Sequence, residues 1–292
     1  MKRKKIKEFL WENLIAFASI FSIIILILIF VYLLRDGLPV FSVVSIKDFL
    51  TGKLWYPISS PAKFGILPLI EGSLLVTALA TAIAAPLGVG CAFYIAEIAP
   101  PKIRDFLKII VELIAGIPSV VLGFIGMVTL SVFVKNAFHI STGLTAFTGG
   151  IVLAFMAIPT IATISEDAIY SVPKDQREAS LALGATKWQT LYKVIFPSSL
   201  SGIIAAVMLG VGRAIGETMV VMMVCGNSAV IPHTIFQPVR TLTATIAAEM
   251  GETVRGSDHY HALFAIGITL FCIAFVINLI ADVAVRRKGA RA

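Results

Sequence analysis

Six long apolar runs dominate the chain and alternate with shorter polar segments. They cover residues 14–34, 68–97, 109–134, 146–170, 200–226 and 262–285. A helix of about 20 apolar residues crosses a hydrocarbon core, so each run is long enough to span a membrane. The pattern predicts an all-α membrane protein with six transmembrane helices, of which three are kinked at Pro86, Pro118 and Pro159.

The composition agrees with a membrane protein. Of the residues, 58% are hydrophobic and 14% are charged, and the mean hydropathy is +0.94. Soluble domains contain about 25% charged residues. The three cysteines lie far apart in apolar runs and form no C-x-x-C pair, so neither a disulfide framework nor a metal knuckle is expected.

The positive charges are distributed unevenly between the two sides of the predicted membrane helices. Four segments on one side, namely the N-terminus, residues 98–108, residues 171–197 and the C-terminus, contain 16 of the 24 Lys and Arg residues. The positive-inside rule places this side in the cytoplasm, so we expect a multi-pass protein of the cell membrane with both termini cytoplasmic. The net charge of +7 then reflects topology and contact with anionic membrane lipid rather than nucleic-acid binding.

The chain divides into three parts on this topology. Residues 1–67 are expected to form an uncleaved transmembrane helix and an extracytoplasmic loop, with one short interfacial helix at 46–54. Residues 68–285 form a five-helix core, and residues 286–292 form a basic cytoplasmic tail. Glu166 and Asp167 fall at the cytoplasmic end of the fourth span, where a solvated position is expected and pairing with a nearby Lys or Arg is the alternative.

Residues 177–197 form the longest polar interruption and predict an elbow of two short helices. Gly184 suits the end of the first helix, and Thr186 with Gln189 forms a capping box that begins the second. Pro197 is expected to end that second helix. Small residues keep one side of the elbow thin: Ala179, Ala182, Gly184 and Ala185. Such a segment either enters a groove of another protein or lies as an amphipathic loop on the membrane surface.

Two charged residues fall inside the fifth apolar run. Arg213 and Glu217 are four residues apart, which places them on one face of a helix. A charge at the bilayer centre costs about 2.5–3.5 kcal/mol, so such a residue faces a partner or a wet path. Gly212 and Gly216 on the adjoining face would let another helix pack closely. The pair either joins two helices, or Arg213 binds a passing oxyanion while Glu217 holds it in place.

No motif of an enzyme or of a metal site stands out. The chain lacks a G-x4-G-K-[S/T] phosphate loop, so ATP hydrolysis would have to be performed by another polypeptide. The Asp258-His259-Tyr260-His261 segment lacks a third fixed ligand, and a Ser-His-Asp or Cys-His arrangement is not evident. We therefore expect no catalytic residue, no metal and no cofactor in this chain.

The elbow resembles the EAA loop of ABC transporter permeases, whose pattern is E-A-A-x3-G-x9-I-x-L-P. Glu178, Ala179, Gly184 and Pro197 match that pattern. Three positions depart from it: Ser180, Val194 and Phe196. In that family the loop is the coupling helix that docks onto a separate ATPase. The resemblance therefore assigns ATPase coupling to the three residues Glu178, Ala179 and Gly184.

Further segments resemble phosphate-specific ABC permeases. They are AGIPSVVLGF (115–124), AIPTIATISEDAI (157–169), EASLALGATKWQT (178–190), GRAIGETM (212–219), RTLTATIAAEMGE (240–252) and SDHYHALFAIG (257–267). FLTGKLW (49–55) and the ISED run resemble the PstC type rather than its PstA partner.

This resemblance implies a type I ABC permease core at 68–285. It further implies a heterodimer with a PstA-type permease, two cytoplasmic ATPase subunits and an extracytoplasmic phosphate-binding protein, and it ties Arg213 and Glu217 to phosphate passage. The alternatives are a permease for another oxyanion such as sulfate, molybdate or phosphonate, and an ATP-independent secondary carrier or channel. A membrane-embedded enzyme would require a cluster of catalytic polar groups.

Overall fold

The protein is described from a computed structural model, which covers the backbone of residues 2–289 and the side chains of residues 11–283. The last three residues of the expected basic tail at 286–292, and all of its side chains, lie outside the described part. The helices are α1 (Lys2–Gly37), α2 (Ile46–Thr51), α3 (Leu67–Phe93), α4 (Pro101–Ala115), α5 (Ser119–Ile125), α6 (Ser131–Phe138), α7 (Ala146–Tyr170), α8 (Lys174–Ala182), α9 (Lys187–Thr190), α10 (Phe196–Gly216), α11 (Met219–Val224), α12 (Leu242–Glu249) and α13 (Asp258–Gly289). Two short strands form one antiparallel hairpin, β1 (Trp55–Tyr56) and β2 (Lys63–Phe64).

Within the described residues, six helical segments are long and apolar enough to cross a membrane. They are Trp11–Ser42, Leu67–Ile98, Ser119–Phe138, Ala146–Tyr170, Lys187–Gly216 and Asp258–Val283. This confirms the six-helix, all-α membrane fold. We call the end of the bundle that carries α8 and α9 the elbow end, and the end that carries β1 and β2 the hairpin end.

The third span is shorter than the apolar pattern predicted. Helix α4 ends at Ala115, and α5 begins only at Ser119. Pro118 adopts φ −59° and ψ 139°, so it separates two helices, and the prediction that it kinks one continuous helix is wrong. A proline also disfavours the helical conformation of the residue before it, and Gly116 lowers the cost of the break. Pro86 and Pro159 do lie inside helices, as expected.

The fifth span differs from its prediction at both ends. Pro197 does not end the second helix of the elbow, because it lies in α10 directly after a turn with the wider π-helical hydrogen-bond pattern. A π-helical turn at Leu191–Ile195 joins α9 to α10, so the helical segment is continuous from Lys187. The span ends at Gly216 rather than at residue 226, since Glu217 is extended with ψ 134°.

Small residues allow the central helices to pack closely. Ile161 of α7 lies between Gly88 of α3 and Gly210 of α10. A Cβ atom added at Gly88 would be 2.8 Å from the Ile161 side chain, and one added at Gly210 would be 2.7 Å from it. The contact between α3, α7 and α10 therefore requires glycine at both positions.

A separate hydrophobic cluster packs residues 38–66, which include the hairpin, against α13. Phe49, Trp55 and Phe64 are buried there with Leu263 and Ile266 of α13. The expected short helix at 46–54 is confirmed as α2. The hairpin was not predicted, because strands of two residues are too short to show an alternating pattern.

A carboxylate at this end joins the loop segments. Glu249 accepts hydrogen bonds from Trp55 Nε1 at 3.1 Å and from Arg240 Nη1 at 2.6 Å. It also lies 2.8 Å from His259 Nε2. His261 Nδ1 contacts the carbonyl oxygen of Asp36 at 2.6 Å. Both histidines of the Asp258–His261 segment therefore have protein partners, and no group of three metal-binding side chains occurs in the described part of the chain.

Candidate functional site

Arg213 lies in the last turn of α10 and is exposed on the side of the bundle. Its Nη1 atom donates a hydrogen bond to the hydroxyl oxygen of Thr160 on α7 at 3.0 Å. Among the side chains of residues 11–283, no carboxylate forms an ion pair with this guanidinium. The positive charge of Arg213 is therefore not neutralised within the described chain.

Glu217 does not hold Arg213, and this prediction is wrong. The helix ends at Gly216, so the four-residue spacing no longer places the two side chains on one face. Glu217 Oε1 instead accepts from the backbone N–H groups of Thr218 at 3.1 Å, Met219 at 3.0 Å and Val220 at 3.4 Å. A carboxylate is stable at this point because the first N–H groups of α11 have no partners within the helix.

The segment around Glu217 is fixed by hydroxyl groups whose role was not predicted from the sequence. Thr243 Oγ1 donates to the Glu217 carbonyl oxygen at 2.8 Å. Ser73 Oγ accepts from the Leu242 backbone N–H at 2.9 Å, which ties α12 to α3. Arg213 and Glu217 line one narrow cavity, and Glu217 lines a second with Ser73 and Thr243. The signal in the sequence was the run of threonines at 241, 243 and 245 inside an apolar region.

Gly212 and Gly216 face open space. A Cβ atom added at either position would find no atom of the described residues within 4 Å. These glycines therefore do not mediate packing between helices of the described chain. The surface beside Arg213 is left accessible to another molecule.

The elbow has the local structure that its sequence predicts. Gly184 has φ +84°, a left-handed conformation that ends α8 and favours glycine. Thr186 and Gln189 form the complete capping box at the start of α9, with hydrogen bonds of 3.2 Å and 2.9 Å. Glu178 and Ala179 are exposed on α8.

Long-range contacts fix the elbow to two membrane helices. The guanidinium of Arg177 on α8 pairs with the carboxylate of Glu97, in the π-helical turn that extends α3. Its Nη2 atom also donates to the carbonyl oxygen of Ile169 in the last turn of α7, at 2.7 Å. Ser180 and Thr190 hydroxyls lie 2.9 Å apart and join α8 to α9. Glu97 is 80 residues from Arg177 in the sequence, so no local pattern indicates this ion pair.

Glu166 is buried rather than solvated, which corrects the expectation for this position. Its carboxylate lies 2.7 Å from the ammonium group of Lys108 on α4. The Glu166 carboxylate, as acceptor for the Lys108 ammonium, raises the pKa of Lys108 above its ordinary value. Arg104 on the same helix donates to the Ile95 carbonyl oxygen at 2.9 Å. The cationic side of α4 therefore faces the protein, while Asp167 remains exposed.

Three large apolar side chains of the elbow are strongly exposed among its charged and polar residues. Leu183 is 90% exposed, Trp188 is 69% exposed and Tyr192 is 70% exposed. Exposed aromatic side chains are enriched at surfaces that bind another protein. The elbow is thus held from within by hydrogen bonds and has large apolar side chains exposed outward.

The chain has the fold of type I ABC transporter permeases. The chain resembles a chain of a bacterial alginate ABC transporter that was crystallised with a periplasmic protein carrying an alginate pentasaccharide. The TM-score is 0.64, and the two are 19% identical over 94% of this chain and 95% of that chain. It also resembles a chain of the inward-facing MetNI methionine ABC transporter, with a TM-score of 0.57 and 22% identity over 77% of this chain and 94% of that chain.

The chain belongs to the family of binding-protein-dependent transport system inner membrane components, whose model matches residues 84–290. It is 41% identical to the probable ABC transporter permease protein YqgH of Bacillus subtilis, over 98% of this chain and 94% of that protein. It is 36% identical to the phosphate transport system permease protein PstC of Mesorhizobium japonicum, over 84% of this chain and 80% of that protein. Members of this family are transport permeases rather than enzymes.

Proposed function

We propose that this chain is the PstC-type permease subunit of an ATP-driven phosphate importer and forms half of the translocation path. The observation that carries this proposal is the unneutralised guanidinium of Arg213 in a transport permease. Phosphate permeases among the relatives support phosphate as the oxyanion.

Arg213 supplies what a phosphate ion needs when it leaves water. Phosphate is strongly hydrated, so a path through a low-dielectric region requires a positive group to compensate the lost hydration. A guanidinium presents several N–H donors in a fixed plane that matches two oxygens of phosphate. Glu217 contributes by fixing the turn that follows Arg213, through its hydrogen bonds to the start of α11.

The other half of the path belongs to a second permease of the PstA type. The open surface at Gly212 and Gly216 supports this arrangement, because small residues let a helix of another subunit approach Arg213 closely. Residues 1–67 then form an appended helix and loop, while residues 68–285 form the permease core. Lipid covers the remaining apolar surface of the bundle, including the exposed side chains of α1.

Energy enters through the elbow. Two ATPase subunits bind to the permease heterodimer, one at each elbow, and contact Glu178, Ala179 and Gly184 in this chain. The apolar surface of Leu183 and Trp188 next to these residues supports such an interface. ATP binding closes the ATPase pair, and the elbow passes that movement to the membrane helices.

The protein lies in the cell membrane with the elbow end and both termini in the cytoplasm. The excess of Lys and Arg at the elbow end and in the terminal segments supports this orientation. The hairpin end then faces outward, where a phosphate-binding protein delivers its ligand.

Reconstitution of the whole complex tests the function. We expect proteoliposomes that contain this chain, its partner permease and the ATPase to take up labelled phosphate when the binding protein is outside and ATP is inside. Sulfate, molybdate and phosphonate serve as competitors, and an ATPase variant without hydrolysis serves as the control. Uptake of another oxyanion in preference to phosphate would correct the substrate. Full-rate uptake by this chain alone without nucleotide, or uptake driven by a cation gradient, would contradict the ATP-driven mechanism.

A further inference from the structure

The hydroxyl group of Thr160 is used differently from most hydroxyls in the membrane helices. Thr81 donates to the Thr77 carbonyl oxygen at 2.8 Å, and Thr269 donates to the Ala265 carbonyl oxygen at 2.9 Å. Such a bond to the residue one turn earlier is the ordinary way to satisfy a hydroxyl in a helix. Thr160 makes no bond of this kind within the described chain, and its oxygen is an acceptor for Arg213.

The contact with Arg213 leaves the proton of Thr160 free. A hydroxyl group has one donor and two acceptor positions. Since Thr160 Oγ1 accepts from Arg213 Nη1 at 3.0 Å, its single O–H is still available to donate. The available O–H lies beside a guanidinium whose remaining N–H groups are not taken by a carboxylate among residues 11–283. Donors of both residues can therefore reach the same anion.

The nearby acidic residue does not compete for these donors. Glu217 lines the same cavity as Arg213, yet its Oε1 atom is bound to three backbone N–H groups. Thr160 is partly buried and Arg213 is exposed, so an anion can approach from the open side of α7 and α10. Helices α7 and α10 thus each contribute one hydrogen-bond donor group, from Thr160 and Arg213, at the point where the two side chains meet.

We propose that Thr160 and Arg213 together bind the transported oxyanion. Thr160 acts in two ways: its oxygen orients the guanidinium, and its hydroxyl proton is a second donor to the anion. This inference rests on the proposed function, because it assigns a further residue to the same translocation site.

Matched threonine substitutions in the complete transporter test this role. Thr160→Val keeps the shape of the side chain and removes the hydroxyl, so we expect the maximal rate of phosphate uptake to fall about tenfold, the usual effect of losing a hydrogen bond to a charged group. Thr160→Ser restores the hydroxyl and should keep at least half of the uptake rate. Thr269→Val removes a hydroxyl that donates only within its own helix, α13, and should leave the rate unchanged.

A double-substitution cycle separates positioning from a general structural effect. In an Arg213→Gln background, Thr160→Val should cause little further loss of uptake, because the two residues act on one anion. Equal uptake by Thr160→Val and the unchanged protein would overturn the proposal. So would a Thr160→Ser variant as slow as Thr160→Val, since the hydroxyl would then not be the active group.

The same assay distinguishes this proposal from the proposed function. If the unchanged complex imports another oxyanion and not phosphate, phosphate is wrong, and the Thr160 series is measured with that oxyanion. Loss of its import in Thr160→Val alone among the three threonine variants would still support the site. Import of a cation or a neutral solute instead would overturn both.

Discussion

At the scale of single residues, the end of a helix decides what each charged side chain contacts. Arg213 and Glu217 would share a face if α10 continued, but α10 ends between them. Arg213 then bonds to Thr160, and Glu217 caps the next helix. The presence of two important charged residues was predictable, because charges in an apolar run are costly. The partners of these two residues were not predictable, because the apolar pattern does not show that the helix ends between them.

Replacing Arg213 removes the charge that we propose to bind the anion. We expect Arg213→Gln to lower ATP-driven phosphate uptake about tenfold to a hundredfold, since a charge-assisted hydrogen bond contributes roughly 1.5–3 kcal/mol. The complex should still assemble, because the side chain is exposed and Thr160 is its described partner. Arg255→Gln, an exposed arginine at the hairpin end, is the control. Normal uptake by Arg213→Gln in an assembled complex would rule out its role in transport.

Glu217 is predicted to act as a helix cap rather than as an ionic partner. In Glu217→Gln, the amide oxygen of the new side chain can still accept hydrogen bonds from the backbone N–H groups. Phosphate uptake by this variant should therefore stay within about threefold of that of the unchanged protein. Glu217→Ala loses the cap and should lower stability by about 1–2 kcal/mol. Thermal unfolding of the purified complex measures that loss. An uptake defect in Glu217→Gln as large as that of Arg213→Gln would show instead that the negative charge is needed.

At the scale of elements, local sequence rules succeeded where the chain is polar and failed where tertiary packing decides. The capping box at Thr186 and the left-handed Gly184 follow from short-range hydrogen bonds and sterics. Pro118 and Pro197 have the same local chemistry, yet one separates two helices and the other lies within a continuous helical segment, after a π-helical turn. The backbone conformation of the residues before each proline differs between the two sites, and the apolar pattern does not predict that conformation.

Gly184 provides a test of the elbow. A Cβ atom there meets nothing within 4 Å, but the φ of +84° is strained for any other residue by about 1–2 kcal/mol. We expect Gly184→Glu to leave ATP hydrolysis measurable while phosphate uptake per ATP falls, because the added acid disturbs the proposed ATPase contact.

Gly256 is a matched control for this substitution. It also has a left-handed φ of +80° and open space around its Cβ position, but it lies at the hairpin end. Gly256→Glu carries the same backbone strain and should keep the normal ratio of uptake to hydrolysis. Unchanged coupling in Gly184→Glu would contradict the role of the elbow.

At the scale of the whole molecule, the number of spans was predictable and the connections between them were not. Six apolar segments emerge directly from the hydrophobic pattern, since each must fill the thickness of a bilayer. Glu249 contacts Trp55, which is 194 residues away in the sequence, and also Arg240 and His259, and no hydrophobic periodicity predicts these contacts. The side-chain hydrogen bonds at the hairpin end therefore could not be predicted from the sequence.

Cysteine labelling tests the proposed orientation. Ile58 in the hairpin is 87% exposed, and Leu183 in the elbow is 90% exposed. In a background without the native cysteines, an impermeant maleimide should label the Ile58→Cys variant in intact cells. The Leu183→Cys variant, expressed without the ATPase that we propose to cover this residue, should react only after the membrane is permeabilised. The opposite pattern would invert the topology and place the elbow where no ATPase can reach it.

Arg177 has a mechanical consequence for the elbow. Its guanidinium is bound at once to the extension of α3, through Glu97, and to the last turn of α7, through the Ile169 carbonyl oxygen. We therefore expect a displacement of α8 to act on α3 and α7 together. These two helices meet at Gly88 and Ile161, and Ile161 also packs against Gly210 of α10. A push at the elbow should then move the three helices as a group and carry Thr160 together with Arg213.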